Sequence, residues 1–322
     1  MPDLVTVFGG SGFIGTQVVR ALARRGARVR VAVRQPHLAH AMRLMGDVGQ
    51  VEVVQANIRD AASVARAVEG ADAVINLVGL LYESGRQTFQ AVHVDAARTI
   101  AQAAAAAGAR LVQMSALGAD PASAARYART KAAGEAAVRE VLPSAVIVRP
   151  SIVFGPGDDF FNKFGEMAVI SPFLPLIGGG QTRFQPVYVG DVARALAATA
   201  LEPAHAGKTF ELGGPGIFTF REILDLIQKE TGRRRLYAPL PFPVAGLVGT
   251  LCTPFTLTPV APPLTADQVE LLKTDNIVSG EAPGLADLGV TPETVEAVLP
   301  TYLYRFRKGG QFARKAETGA AA

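Results

Sequence analysis

The chain has 322 residues, 49% hydrophobic and 19% charged, a balance that excludes intrinsic disorder and allows a sizeable core. Its formal net charge is +4, and no long Lys/Arg block marks a nucleic-acid footprint. Cys252 is the single cysteine and the four histidines are scattered, which excludes an intrachain disulfide and gives no metal-ligand spacing.

From the N-terminus, LVTVF at 4–8 reads as a short strand ending in GGSGFIG. No basic n-region or apolar h-region precedes it, so a cytosolic chain without an import sequence is expected. TQVVRALARR follows with helical spacing, Val18, Val19, Leu22 and Ala23 on one side, and Gly26 suits the residue after the helix. VRVAV (29–33), VEVV (51–54), DAVINLV (72–78), RLVQM (110–114) and AVIVRP (145–150) are further strands. They alternate with helices expected at about 60–69, 88–107 and 124–141. Apolar, β-branched strands alternating with helices predict an α/β fold, a Rossmann-type doubly wound parallel sheet.

After about residue 150 the pattern loosens, with Gly and Pro clustered at 155–157 and 172–180. PVYVGDVARALAATAL (186–201) runs from strand into helix, and FREILDLIQKETG (220–232) is amphipathic. The expected organisation is a dinucleotide-binding core at 1–155 and a smaller C-terminal region at 156–322, interleaved at about 183–215. Leu236 to Ala266 carries no charge, but its prolines leave only Val244 to Thr253 as an uninterrupted helix, too short to span about 30 Å of hydrocarbon. It reads either as part of the packed fold or as a docking segment at a membrane surface or apolar partner. Basic residues crowd Arg20 to Arg34 and the tail, where Arg305, Arg307, Lys308, Arg314 and Lys315 fall together.

Gly9, Gly12 and Gly15 form G-x-x-G-x-x-G between the first strand and first helix, with Ser11, Phe13 and Ile14 completing the loop. Such a turn lets backbone approach a pyrophosphate and aims free N–H groups of the helix at it. No acid lies between Asp3 and Asp47 to bind a ribose 2′-hydroxyl, whereas Arg34 ends the second strand and suits a 2′-phosphate. NADPH (NADP) is therefore the expected cofactor rather than NAD(H). Leu77, Val78 and Gly79 would line the adenosine ribose.

Tyr127 and Lys131, in YARTK, share one helix face. Together with GGSGFIG, Ser115 and RPSIVFGPGD (149–158), they make the chain resemble the short-chain dehydrogenase/reductase superfamily, in its extended or atypical branch, over about residues 4–235. The resemblance implies Tyr127 as general acid/base, Lys131 lowering its pKa and bonding the nicotinamide ribose, and Ser115 polarising a carbonyl. It implies nucleotide contacts from Asn57, Ile58 and Pro150, with Asn57 replacing the usual Asp near the adenine amino group. The interval from Ser115 to Tyr127 is short for that branch, and Phe160, Phe161, Phe164, Phe173 and Leu174 make the expected substrate region apolar.

RFQPVYVGDVARA, LPFP, LTADQVELLKTDNIVS and GLADLGV resemble more narrowly the NADPH-binding, dehydrogenase-like accessory subunits of respiratory complex I, in bacterial form. That resemblance implies a subunit on the peripheral arm near the quinone site, on the cytoplasmic side of the inner membrane, with no nucleic acid and no established substrate. The alternative it leaves is an active NADP-dependent reductase or epimerase acting on a lipid or quinone-precursor carbonyl.

Overall fold

The computed structural model describes residues 3–252, 255 and 262–312. Part of the expected docking segment, including Pro254 and Pro259, and the tail cations Arg314 and Lys315 lie outside the described residues. The first half builds β1 (Leu4–Phe8), α1 (Phe13–Arg24), β2 (Arg28–Val33), β3 (Val51–Gln55), α2 (Ala61–Val68) and β4 (Ala73–Asn76). It continues with α3 (Ala96–Ala106), β5 (Arg110–Met114), α4 (Arg126–Val141) and β6 (Val146–Pro150). The helix expected from 88 is entered through a wider π turn at Gln90–Asp95.

The sheet is seven-stranded and parallel, in the order β11-β6-β5-β4-β1-β2-β3, β11 being Thr209–Leu212. From β1 the chain winds one way to β2 and β3 and the other way to β4, β5 and β6. The crevice beyond the C-terminal ends of β1 and β4 is thus the topological switch point, where such sheets bind ligands. The strands are apolar on both faces because both are covered. Val18, Val19 and Leu22 of α1 pack on one side with Val192 and Leu196. Val64, Ile100 and Val138, from α2, α3 and α4, pack on the other.

The second half adds β7 (Val153–Phe154), α5 (Phe160–Ile170), β8 (Phe173–Ile177), β9 (Arg183–Phe184), β10 (Val187–Tyr188) and α6 (Val189–Leu201). After β11 come β12 (Phe218–Thr219), α7 (Phe220–Thr231), β13 (Leu236–Leu240), α8 (Phe242–Leu251), α9 (Ala266–Leu271) and α10 (Val295–Val298). α6 and β11 return to the sheet, and the rest gathers around a third core of Phe154, Phe161, Phe164, Phe184 and Phe220. Each fully buried phenylalanine there contributes about 1.5–3 kcal/mol. Phe161, Phe164 and Leu174 are therefore core residues, while Phe173 is 49% exposed.

The sequence gives no sign of the parallel ribbon β8–β13, because prolines 175 and 239 sit inside it. A two-stranded ribbon tolerates them, since its outward N–H positions need no partner. α8 starts earlier than Val244, since Pro243 fits the first helical turn, where the missing N–H costs nothing. Among the described residues no helix is long and apolar enough to cross a membrane.

Candidate functional site

The glycine loop fills the crevice at the end of β1. Gly9 has φ +78°, and a Cβ there would lie 3.3 Å from Val78 Cγ2. A Cβ on Gly15 would lie 2.2 Å from the Gly9 carbonyl oxygen, so α1 crosses the loop backbone at a distance only glycine permits. α1 has no side-chain cap, and Gly12 stands at its start with its own N–H donated to Gly9 O (3.1 Å). Ser11 and Gly12 are exposed, and Phe13 and Ile14 half-buried, Ile14 against the sheet core.

β4 supplies the opposite wall. The buried Asn76 amide donates to Gln113 Oε1 (2.9 Å) and accepts from the Val78 N–H (3.1 Å), which turns Leu77, Val78 and Gly79 along the crevice. Beyond β2 and β3 a cleft of about 340 Å³ is lined by Arg34, Asn57, Arg59, Asp60 and Arg66. Arg34 is exposed there. Asn57 Oδ1 accepts from the Arg59 N–H (3.1 Å), so one of its acceptor positions is spent on the local turn. Ile58 packs on the α2–α4 side of the sheet. Pro150 is buried at the end of β6, its carbonyl accepting from Leu117 N–H (3.0 Å).

Tyr127 and Lys131 occupy the first two turns of α4. The Lys131 Nζ lies 5.7 Å from the Tyr127 ring centroid, and a Cβ on Gly79 would be 3.3 Å from it. Burial pulls the Lys131 ammonium down to about 8, offset in part by the Glu135 carboxylate one turn on, which is paired with Arg149 at 2.6 Å. The Tyr127 phenol is pushed up to about 12, first by burial and then by the Asp267 carboxylate. Ser115 is 3% exposed, and its Oγ has no hydrogen-bond partner among the described residues. An orphaned buried hydroxyl, a cradle closed to any Cβ and a buried ammonium against Gly79 fit a dinucleotide lying across the switch point.

A profile of the NAD dependent epimerase/dehydratase family matches residues 5–213. This chain belongs to that family. Over 317 residues it is 37% identical to the mitochondrial NADH dehydrogenase (ubiquinone) 1 alpha subcomplex subunit 9 of Arabidopsis thaliana, covering 95% of this chain and 79% of that one. Over 200 residues it is 38% identical to a ceramide reductase of Caulobacter vibrioides, covering 62% of each. An Escherichia coli NADPH-dependent quinone oxidoreductase solved with NADPH shares the fold, with a TM-score of 0.71 at 20% identity over 91% of this chain and 97% of that one.

The family pattern leads one to expect a tyrosine pKa lowered by the lysine. Here burial and an anion from α9 raise the Tyr127 phenol, while burial lowers the Lys131 ammonium, which at about 8 still carries its charge near neutrality. Sequence reasoning missed two further residues. Asp267 accepts from the backbone N–H groups of Arg126 (2.6 Å) and Tyr127 (2.9 Å) across 140 positions of chain, with no local signal to reveal it. His93, buried in the π turn, accepts from the Leu80 N–H at Nε2 (3.0 Å) and meets Thr130 Oγ1 at Nδ1 (3.1 Å). It is thus the neutral tautomer protonated at Nδ1, and Thr130 passes the link on to the Tyr127 carbonyl (3.0 Å).

Proposed function

We propose that this chain is an NADP(H)-holding accessory subunit of a respiratory NADH:quinone oxidoreductase, with a structural role and no turnover of its own. The observation that carries the reading is the similarity to alpha subcomplex subunit 9 along 95% of the chain. Gly9, Ser11, Gly12, Phe13, Ile14 and Gly15 would receive the pyrophosphate. Leu77 to Gly79, Ile58, Asn57 and Pro150 would flank the nucleoside halves, and Lys131 would donate to the nicotinamide ribose. Arg34, with Arg59 and Arg66 across the same cleft, supports NADPH over NADH by supplying cations for a 2′-phosphate. When bound, the nucleotide supplies a hydride donor or acceptor.

The partners are other subunits of the complex, on the peripheral arm near the quinone site at the cytoplasmic face of a bacterial inner membrane. We assign contact with them to α8, where Val244, Leu247 and Leu251 are 47%, 61% and 69% exposed. Residues 1–155 would form the nucleotide-binding unit and 156–322 the attachment unit, apart from the returning α6 and β11.

A second reading is a reductase of a lipid or quinone-precursor carbonyl, supported by the unpartnered Ser115 Oγ and the likeness to a ceramide reductase. Complementing cells that lack the chain separates the two. Under the accessory reading, Tyr127→Phe and Ser115→Ala restore assembled complex and NADH:quinone turnover to wild-type levels. Loss of turnover in Tyr127→Phe with the complex fully assembled would favour the second reading.

A further inference from the structure

α4, which presents Tyr127 and Lys131, does not cap itself: Ala125 stands at its start and offers no side-chain acceptor. Its first two N–H groups are held instead by the Asp267 carboxylate, an anion at the positive end of the helix. Asp267 is held in a capped helix. It lies in the first turn of α9, which carries its own capping box from Thr265 and Gln268. α9 in turn is pressed onto α8, where a Cβ on Gly249 would lie 2.5 Å from the Ala266 nitrogen. Beside it, Arg126 pairs with Glu83 at 2.9 Å, and Glu83 also accepts from the Phe89 N–H (2.8 Å), tying down the segment that follows the β4 turn.

We infer that Asp267 is a positioning residue that couples nucleotide occupancy at Tyr127 and Lys131 to the seating of α9 and of the apolar α8 packed on it. The inference rests on the nucleotide-holding reading above. Its physical content is reciprocal: if α4 is ordered by α9 through Asp267, a ligand that fixes α4 must stabilise the α8–α9 pair to the same extent. The residue is not catalytic, since its carboxylate meets backbone N–H groups and not a reacting atom. An empty nucleotide site would therefore loosen the face we assign to subunit contact, which gives a nucleotide without turnover a physical purpose.

Hydrogen exchange of the full-length chain, with and without NADPH, tests this together with NADPH affinity by fluorescence titration. NADPH is expected to slow exchange in peptides covering α8 and α9 of the wild type. Asp267→Ala is expected to abolish that slowing and weaken NADPH about fivefold, the worth of one helix cap. Asp267→Asn, which keeps one acceptor, falls between them and carries the test if the alanine variant does not fold. Thr219→Ala, which removes the cap of α7 instead, lowers the melting temperature but keeps the slowing. Asp267 variants that melt lower yet retain both wild-type affinity and the NADPH-dependent slowing would reduce the residue to a cap and overturn the inference. A wild type that binds no NADPH would overturn the nucleotide reading as well.

Discussion

The two ends of the crevice are built by different physics. At the phosphate end, shape comes from what is missing: Gly9 and Gly15 bring backbone within distances a Cβ would forbid, and α1 starts without a side-chain cap. At the reacting end, shape comes from side chains arriving from far along the chain. His93 (through Thr130 of α4 itself), Glu83 and Asp267 fix the start of α4 from three directions. The first end is open and ready for an anion. The second is held by side chains, and burial there raises the Tyr127 phenol and lowers the Lys131 ammonium. The two ends therefore answer to different changes, because a phosphate cradle depends on backbone and packing whereas proton transfer depends on pKa.

The contrast can be broken most strongly at Gly15. Gly15→Val inserts atoms where the Gly9 carbonyl already lies, so overpacking of about 1–3 kcal/mol and loss of measurable NADPH binding by calorimetry are expected. Lys131→Ala removes a charged donor and should weaken NADPH retention about 10- to 100-fold, read as nucleotide content after purification. An undiminished load in that variant would separate Lys131 from the nucleotide. Arg34→Ala should leave NADH affinity unchanged and cut the preference for NADPH about tenfold in paired titrations.

The smallest effect sharpens the reacting end. His93 is held down to about 3 by burial and, less, by Lys131, against an ordinary value of 6.5. The unfolded chain then binds the extra proton first, so this group's contribution is full above pH 6.5 and is lost as pH falls toward 3. His93→Asn should flatten the fall of the urea midpoint across that window. An unchanged slope would mean that other groups set the acid limit.

This contrast also explains what the sequence reveals. The glycine spacing, the apolar strands and the amphipathic α7 are local signals, each carried within one element, so the Rossmann-type sheet and the phosphate loop are readable without a structure. Tyr127 and Lys131 are legible as a pair at helical spacing, but their protonation is not, because it is set by burial, with Asp267 on another helix acting on the tyrosine and Glu135 on the lysine. The ribbon β8–β13 hides behind its prolines, and His93 carries no local mark of its bond to Leu80.

That this fold holds a nucleotide in the service of an assembly is tested by affinity purification of the tagged full chain from gently solubilised membranes, with co-purifying proteins and bound nucleotide quantified together. Near-stoichiometric recovery of NADH:quinone oxidoreductase subunits with NADPH on the chain is the predicted result. Recovery of the chain alone, from the soluble fraction, would contradict it and direct attention to a carbonyl substrate at Ser115.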